Sequence, residues 1–171
     1  MIYLPRTVTD ADLFVSMPKL KTHHWAGATL SMKNLFGIMP GSVYGWPKNA
    51  LHWQGIEQSI IDINAALETQ RFNIVDGVIG MEGDGPILGT PRQAGVMVCG
   101  ADPVAVDATC ARLMMLEPER MAYIAEAGTF IGNMERERIT QLAEDVERHA
   151  QDFAVVEGFQ RLKPGTMGTV L

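Results

Sequence analysis

The sequence predicts an α/β fold: a mixed, mainly parallel sheet with helices packed on its faces, in one domain over residues 1–171. Two observations carry the prediction. An apolar run, Asp12-Leu-Phe-Val-Ser-Met17, is ended by Pro18, and is followed by an amphipathic helix over 55–68 and a second apolar run, Phe72 to Ile79. Strand, crossover helix and strand in that order make a parallel pair. Farther on, Gly95 to Gly100 reads as a third strand, and Asp102-Pro103 supplies an N-cap acid and a proline at the first helical position.

Each element has its own local reason. Gly27 to Phe36 has helix-compatible composition and stops at Gly37, with Pro40 and Gly41 preventing extension. Gly41 to Trp53 is rich in Gly, Pro and aromatics and is expected as a loop, whereas Ile56, Ile60, Ile63 and Leu67 recur at helical spacing. Residues 118–127 form another short helix ended by Gly128. Ile139, Leu142, Val146, His149 and Phe153 repeat at three and four, which predicts a late amphipathic helix, although its start also suits a short strand. The tail from Lys163 is expected to be loosely held.

Charge is distributed unevenly. From Leu13 to Ile56 there is no Asp or Glu, while four lysines give the segment +4; against a whole-chain charge of -6, the remaining residues sum to -10. Such asymmetry focuses an anion onto one surface. The overall acidity disfavours a nucleic-acid binder, which needs a dominant basic face. No apolar run reaches the roughly 20 residues of a membrane span, and MIYLPRTVTDAD lacks a signal-peptide core, so the expectation is a cytoplasmic chain that does not enter a membrane. Cys99 and Cys110 are the only cysteines. They cannot supply the four thiolates of an iron–sulfur cluster, so none is expected in this chain.

Several groups of residues point to chemistry. In Pro18-Lys-Leu-Lys-Thr-His-His24, an extended backbone places Lys19, Lys21 and His23 on one side, a row suited to clamping a phosphate or carboxylate while His23 or His24 shuttles a proton. Its alternative is a solvated loop. Lys33 and Asn34 interrupt an apolar, small-residue stretch with Thr29 one helical turn away, so hydroxyl and ammonium can converge on one ligand; snorkelling is the alternative for the lysine. His52, between Leu51 and Trp53, suits either a base or a packed ring. The glycines of Gly80-Met-Glu-Gly-Asp-Gly-Pro86, Gly83 and Gly85 above all, let backbone amides approach a ligand, while Glu82 and Asp84 suit either a divalent metal or a turn. The spacing misses the dinucleotide-binding fingerprint, and neither a P-loop nor a serine-hydrolase elbow is present. Asp102 combines its capping role with a tentative place among metal ligands. Asp107, inside Val-Ala-Val-Asp-Ala-Thr-Cys, must meet a cation, a metal or several donors if it is to stay ionised; Lys19, Lys21 and Lys33 are the candidate cations.

The motifs PKLKTHHWAGATLSMKNLFG, GMEGDGPILGTP and GADPVAVDA, over residues 12 to 110, resemble the domain-of-unknown-function family numbered 362. The resemblance implies bacterial and archaeal relatives often fused to, or encoded beside, ferredoxin-type iron–sulfur modules, and no settled reaction. It places Lys19, Lys21, His23, Lys33, Asn34, Glu82, Asp102 and Asp107 among the family's polar positions. Relatives carry an earlier α/β portion and a cysteine-rich module, so this chain is expected to be either a truncated form or a minimal member.

The resulting expectation is an enzyme for a small phosphate- or carboxylate-bearing substrate in a redox-associated setting. Lys19, Lys21, Thr29, Lys33, Asn34, Gly83 and Gly85 would bind substrate, His23, His52 and Asp107 would be catalytic, and Glu82, Asp84 and Asp102 would hold any metal. The alternative is a non-catalytic accessory module that binds an anionic cofactor or a ferredoxin-type partner through the loop from Tyr44 to Trp53, including Trp46 and Lys48. Homo-oligomerisation is open to either.

Overall fold

The computed structural model describes residues 2–46 and 49–166, the side chain of Asn49 excepted. Lys48 therefore lies outside the described residues, as do residues 167–171 of the tail. Six strands form one sheet: β1 (Phe14–Ser16), β2 (Lys19–His23), β3 (Gly27–Thr29), β4 (Arg71–Glu82), β5 (Thr90–Arg92) and β6 (Val96–Gly100). The helices in chain order are α1 (Arg6–Thr9), α2 (Ser31–Asn34), α3 (Gly41–Tyr44), α4 (Asn49–Trp53), α5 (Ile56–Ala66), α6 (Pro103–Leu113), α7 (Ala122–Ala127) and α8 (Val146–His149), with short 3-10 turns between some of them.

The long β4 organises the sheet. On one edge it pairs in parallel first with β1, Val15 opposite Phe72, and then with β2, Lys19 opposite Asp76 and Lys21 opposite Met81. Pro18 separates the two short strands because it has no N–H for the ladder, yet its carbonyl still accepts from Asp76 N at 2.8 Å. The other edge of β4 carries β6 and β5, both antiparallel, and β3 folds back antiparallel on β2. The α/β class and the mixed sheet agree with the sequence expectation, as does the parallel pairing of the strands that flank α5.

Three local expectations need correction. Gly27 to Thr29 is a strand rather than the first turn of a helix: Gly27 has φ +77°, which turns the chain back from β2 and lets the next residues pair with it. Helix α2 starts only at Ser31. The segment 41–53 holds two short helices, and the late helix shrinks to Val146–His149 because Phe153 leaves the pattern to bury its ring against β4 near Gly80. Lys163 is also held, by Asp152 and the carbonyl of Phe153, so the tail is ordered at its start.

The core lies between the sheet and α2, α5, α6 and α7, with Leu20, Leu30, Met32, Ile60, Ile63, Val104 and Tyr123 fully or almost fully buried. Within this layer Asp107 holds α2 in place. Its carboxylate, wholly buried on α6, accepts from Ser31 N at 2.7 Å and Met32 N at 3.1 Å, and also meets the Ser31 hydroxyl. Leu30 at the helix N-cap has no side-chain acceptor, so α6 supplies the cap from 76 residues away. Asn64 of α5 donates to Met32 O at 3.0 Å, and Arg71 donates to Asn64 Oδ1 at 2.6 Å.

Sequence reasoning expected a lysine beside Asp107. Instead the cation that acts on it is Arg71, and burial outweighs the hydrogen bonds and raises the carboxyl to about 7. Asp102 is the N-cap of α6: its Oδ1 accepts from Val104 N at 2.8 Å and Ala105 N at 3.0 Å, and its Oδ2 from Asn133 N at 2.8 Å.

Removing the Asp107 carboxylate strands two buried N–H groups, so Asp107→Ala should lower stability by about 3 kcal/mol. Asp102→Ala, at a half-exposed cap, should cost about 1–2 kcal/mol. Because the folded-state carboxyl of Asp107 titrates above its unfolded value, its contribution is complete below about pH 4 and is lost as pH rises through about 7. Asp107→Asn should remove that dependence. Denaturant melts of the three variants from pH 4 to 8 measure both effects.

Candidate functional site

The carboxyl ends of β2 and β4 meet where the sequence places its histidines and glycines. The glycine loop after β4 rests directly on β2: Thr22 Oγ1 donates to Gly83 O at 2.8 Å, and His24 N donates to Gly85 O at 2.9 Å. A Cβ at Gly85 would lie 2.0 Å from Thr22 O, so only glycine permits this approach. The amides expected to cradle a ligand are engaged inside the chain, Gly83 N with Ala154 O at 2.7 Å and Gly85 N with Gly83 O at 2.9 Å. Gly83 and Gly85 thus shape the floor of the site rather than grip its occupant.

Around this floor, rings and cations gather. His23 stacks on His24 with centroids 5.1 Å apart; His24 meets Trp25 at 5.4 Å, Trp25 meets His52 at 5.5 Å, and His52 meets Phe36 at 5.2 Å. Lys33 Nζ lies 4.6 Å from the centre of the Phe36 ring. Helix α2 fixes that ammonium, since the residue before Lys33 is held by Asp107 and Asn64, and the residue after it, Asn34, donates to Ser16 Oγ at 3.0 Å. Asn34 therefore works as an anchor to β1.

His23 differs most from its sequence expectation. Its Nδ1 accepts from Trp25 N at 3.0 Å and from Ala26 N at 3.3 Å, which requires the hydrogen of the neutral ring to sit on Nε2. Burial depresses its pKa to about 3, with Lys33, His24, His52 and Lys21 all adding to the depression. It is consequently a neutral donor, not a proton shuttle at neutral pH. His24 has the opposite tautomer: Nδ1, 2.7 Å from Gly85 O, carries the hydrogen when the ring is neutral, leaving Nε2 with its lone pair. Asp84 Oδ1 lies 3.4 Å from the same Nδ1.

The β2–β3 register puts Lys21 opposite Thr29 and His23 opposite Gly27, so Lys21, His23 and Thr29 share a face. Lys21 is half-buried, and burial lowers its pKa. Thr29 Oγ1 is buried and has no hydrogen-bond partner among the described residues. Buried hydroxyls ordinarily have one.

Other expected members stand apart. Lys19 pairs with Asp76 at 2.6 Å at the opposite end of β2, with both side chains about half exposed. Glu82 accepts from Ala154 N at 3.0 Å and pairs with Arg92, Asp84 faces His24, and Asp102 caps α6, so the three proposed metal ligands are not brought together. Among the described residues no three His, Cys, Asp or Glu side chains are grouped to hold a metal. Asp107 lies beneath α2 with its oxygens turned to Ser31 and Met32. Sequence reasoning missed Trp25 and Phe36, whose rings space the cations; their only signal was proximity to His24 and Lys33 in the chain. Two clefts of about 270 and 290 Å³ lie along α6 and α8, but neither includes a residue of the histidine cluster, and Arg112 and Arg136 within them pair with Glu119 and Glu147.

The depressed pKa of His23 has a consequence for stability. The unfolded ring binds a proton near pH 6.5 and the folded ring near pH 3, so the stabilisation is complete above about 6.5 and is lost as pH falls toward 3. The expected outcome is a flatter stability profile over that interval for His23→Gln, read from urea midpoints at several pH values. An unchanged acid limb would contradict the neutral-ring assignment.

Comparison with known proteins gives a family and one distant relative. The chain is 30% identical over 127 residues to a thylakoid-associated protein of Synechocystis sp.; the match covers 71% of this chain and 38% of that protein. No solved structure matches. Among the described residues no helix is long and apolar enough to cross a membrane. Residues 1–112, which include the histidine cluster, α2 and the capping Asp107, match the family described as Domain of unknown function (DUF362), and the chain belongs to that family.

Proposed function

We propose that the chain is an enzyme acting on a small substrate that carries a phosphate or carboxylate group, bound by Lys21, Lys33, Thr29 Oγ1 and His23 Nε2–H. The observation that carries this reading is Thr29 Oγ1: a buried hydroxyl without a hydrogen-bond partner among the described residues, opposite Lys21 in the β-ladder and on the face that also presents His23. Two ammonium groups and two neutral donors suit an anion with two charges, such as a phosphate monoester or a dicarboxylate. An anion here would also offset the cost of burying Lys21, raising its pKa and drawing in a proton. Binding should then tighten as pH falls toward the free-state Lys21 pKa and level off below it.

In the chemical step, His23 donates its Nε2–H to a substrate oxygen whose negative charge grows in the transition state. Because the ring stays neutral, it does not protonate that oxygen outright. His24, with its lone pair on Nε2 and Asp84 beside Nδ1, is the group suited to take up a proton. His52, packed between Trp25 and Phe36, contributes shape.

A second reading has support of its own. Trp25, Trp46 and Trp53 are 50%, 85% and 77% exposed, and aromatic residues beside cations are common at protein contacts. An accessory module docking an acidic ferredoxin-type partner would use this surface. The thylakoid association of the relative fits a membrane-proximal redox setting for either reading.

Calorimetric titration with inorganic phosphate, sulfate and a dicarboxylate separates the site residues from their surroundings. Lys33→Ala and Thr29→Val should each weaken binding about tenfold, the equivalent of about 1.4 kcal/mol. Lys19→Ala, which removes a cation already paired with Asp76, should change it less than twofold. Equal effects at Lys19 and Lys33, or no binding by the unaltered chain, would overturn the anion site.

A further inference from the structure

The layer beneath α2 contains a cation that takes no part in the anion site. Arg71 opens β4, and strand alternation puts it on the side of Asn73 and Val75, both buried, where α2 and α6 pack against the strand. Its guanidinium donates to Asn64 Oδ1 at 2.6 Å, and Asn64 Nδ2 donates in turn to Met32 O at 3.0 Å. On the other side of the same residue, Met32 N donates to Asp107 Oδ2 at 3.1 Å. The charge of Arg71 also acts on Asp107 and favours its ionised form, which burial opposes. Asp107 and Asp102 in turn support the charge of the half-buried guanidinium. Among the described residues, the other ionisable groups that act with Asp107 are Cys110 on its own helix and Tyr123 of α7, and burial pushes both upward so that they stay neutral. Lys33 of α2 carries its ammonium to the Phe36 ring, 4.6 Å from the ring centre.

We propose that Arg71 is a positioning residue for the anion site. Through Asn64 it holds the carbonyl of Met32, and through its charge it supports the carboxylate that holds the N–H of Met32, so one guanidinium fixes both sides of the residue preceding Lys33. The inference rests on the reading of Lys33 as an anion-binding group. The two routes are physically distinct. A carboxylate accepts hydrogen bonds more strongly than a neutral carboxyl, so loss of the Arg71 charge weakens the cap on Ser31 and Met32 even where every side chain stays in place. Loss of the Asn64 link releases the Met32 carbonyl instead and leaves the charge alone. Lys33 feels either loss directly, because a helix of four residues has no cooperativity of its own to hold its backbone.

NMR of the ligand-free chain reads Lys33 and Asp107 separately. In the unaltered protein the Phe36 ring current should displace the ε-methylene protons of Lys33 upfield, and the Asp107 carboxyl carbon should titrate at about 7. Arg71→Gln should move that titration upward by about one pH unit and, at about pH 7.5, remove most of the Lys33 displacement. Arg71→Lys, which restores the charge, should return both signals toward their unaltered values. Asn64→Ser, whose hydroxyl can satisfy Ile60 O, should remove the displacement without moving the titration, and it decides the matter if Arg71→Gln does not fold. Calorimetric titration with inorganic phosphate is the separate arm, with binding expected to be about fivefold weaker in Arg71→Gln than in Arg71→Lys. An unaltered chain that binds no phosphate would overturn the anion reading, while the two NMR signals still decide whether Arg71 fixes Lys33. A Lys33 displacement indifferent to Arg71→Gln and Asn64→Ser, or an Asp107 titration indifferent to Arg71→Gln, would overturn the inference.

Discussion

The placement of helix α2 by a buried carboxylate is the constraint on which the candidate site depends. A four-residue helix cannot stabilise itself, because nucleation fixes several residues for a single hydrogen bond. Here the fixing is done from outside: Asp107 takes the first N–H groups, Asn64 takes the carbonyl of Met32, and Asn34 reaches Ser16 on β1. Lys33 is thereby held between two anchored neighbours. Its ammonium stays beside Phe36 and near His23, where an unsupported loop lysine would sample many rotamers. The same carboxylate is raised to about 7 by its burial, so the clamp and its ionisation are linked.

The sheet supplies the other half of the arrangement. β4 is long enough to serve β1 and β2 in succession, and Pro18 marks the change from one to the other. At the far end, Gly80 and Gly85 allow contacts that a side chain would prevent: a Cβ at Gly80 would come within 2.7 Å of Leu20 O, and one at Gly85 within 2.0 Å of Thr22 O. Glycine freedom is thus used to bring two strand ends together. The resulting turn at Trp25 and Ala26 directs two N–H groups at His23 Nδ1, which decides the tautomer and with it the chemistry open to the ring.

Much of this was legible in the sequence, and the failures have physical causes. The amphipathic α5, the strand from Phe72 and the cap at Asp102 are local signals, and each element formed as read. Gly27-Ala28-Thr29 reads as helix because small residues suit one, yet pairing with β2, which no local signal announces, makes it a strand. Asp107 was recognisable as a buried acid, yet its partners lie 76 residues away and are backbone groups, which leave no trace in composition. The acid-free segment drew attention to its lysines, but it could not say that Lys19 would find Asp76 across the sheet. His23 and His24 are adjacent in sequence and alike in type. Only the backbone around each ring gives one a neutral donor and the other a free lone pair.

The central claim is that His23 presents a neutral Nε2–H to an anion held between Lys21 and Lys33. Its most direct test is nitrogen-15 NMR of the protein labelled at histidine, recorded with and without inorganic phosphate. The account predicts a ring protonated at Nε2 and unprotonated at Nδ1 throughout the neutral range, with the Nε2–H signal moving as phosphate is added. A His23 ring protonated at Nδ1, or an Nε2–H signal indifferent to phosphate, would contradict it.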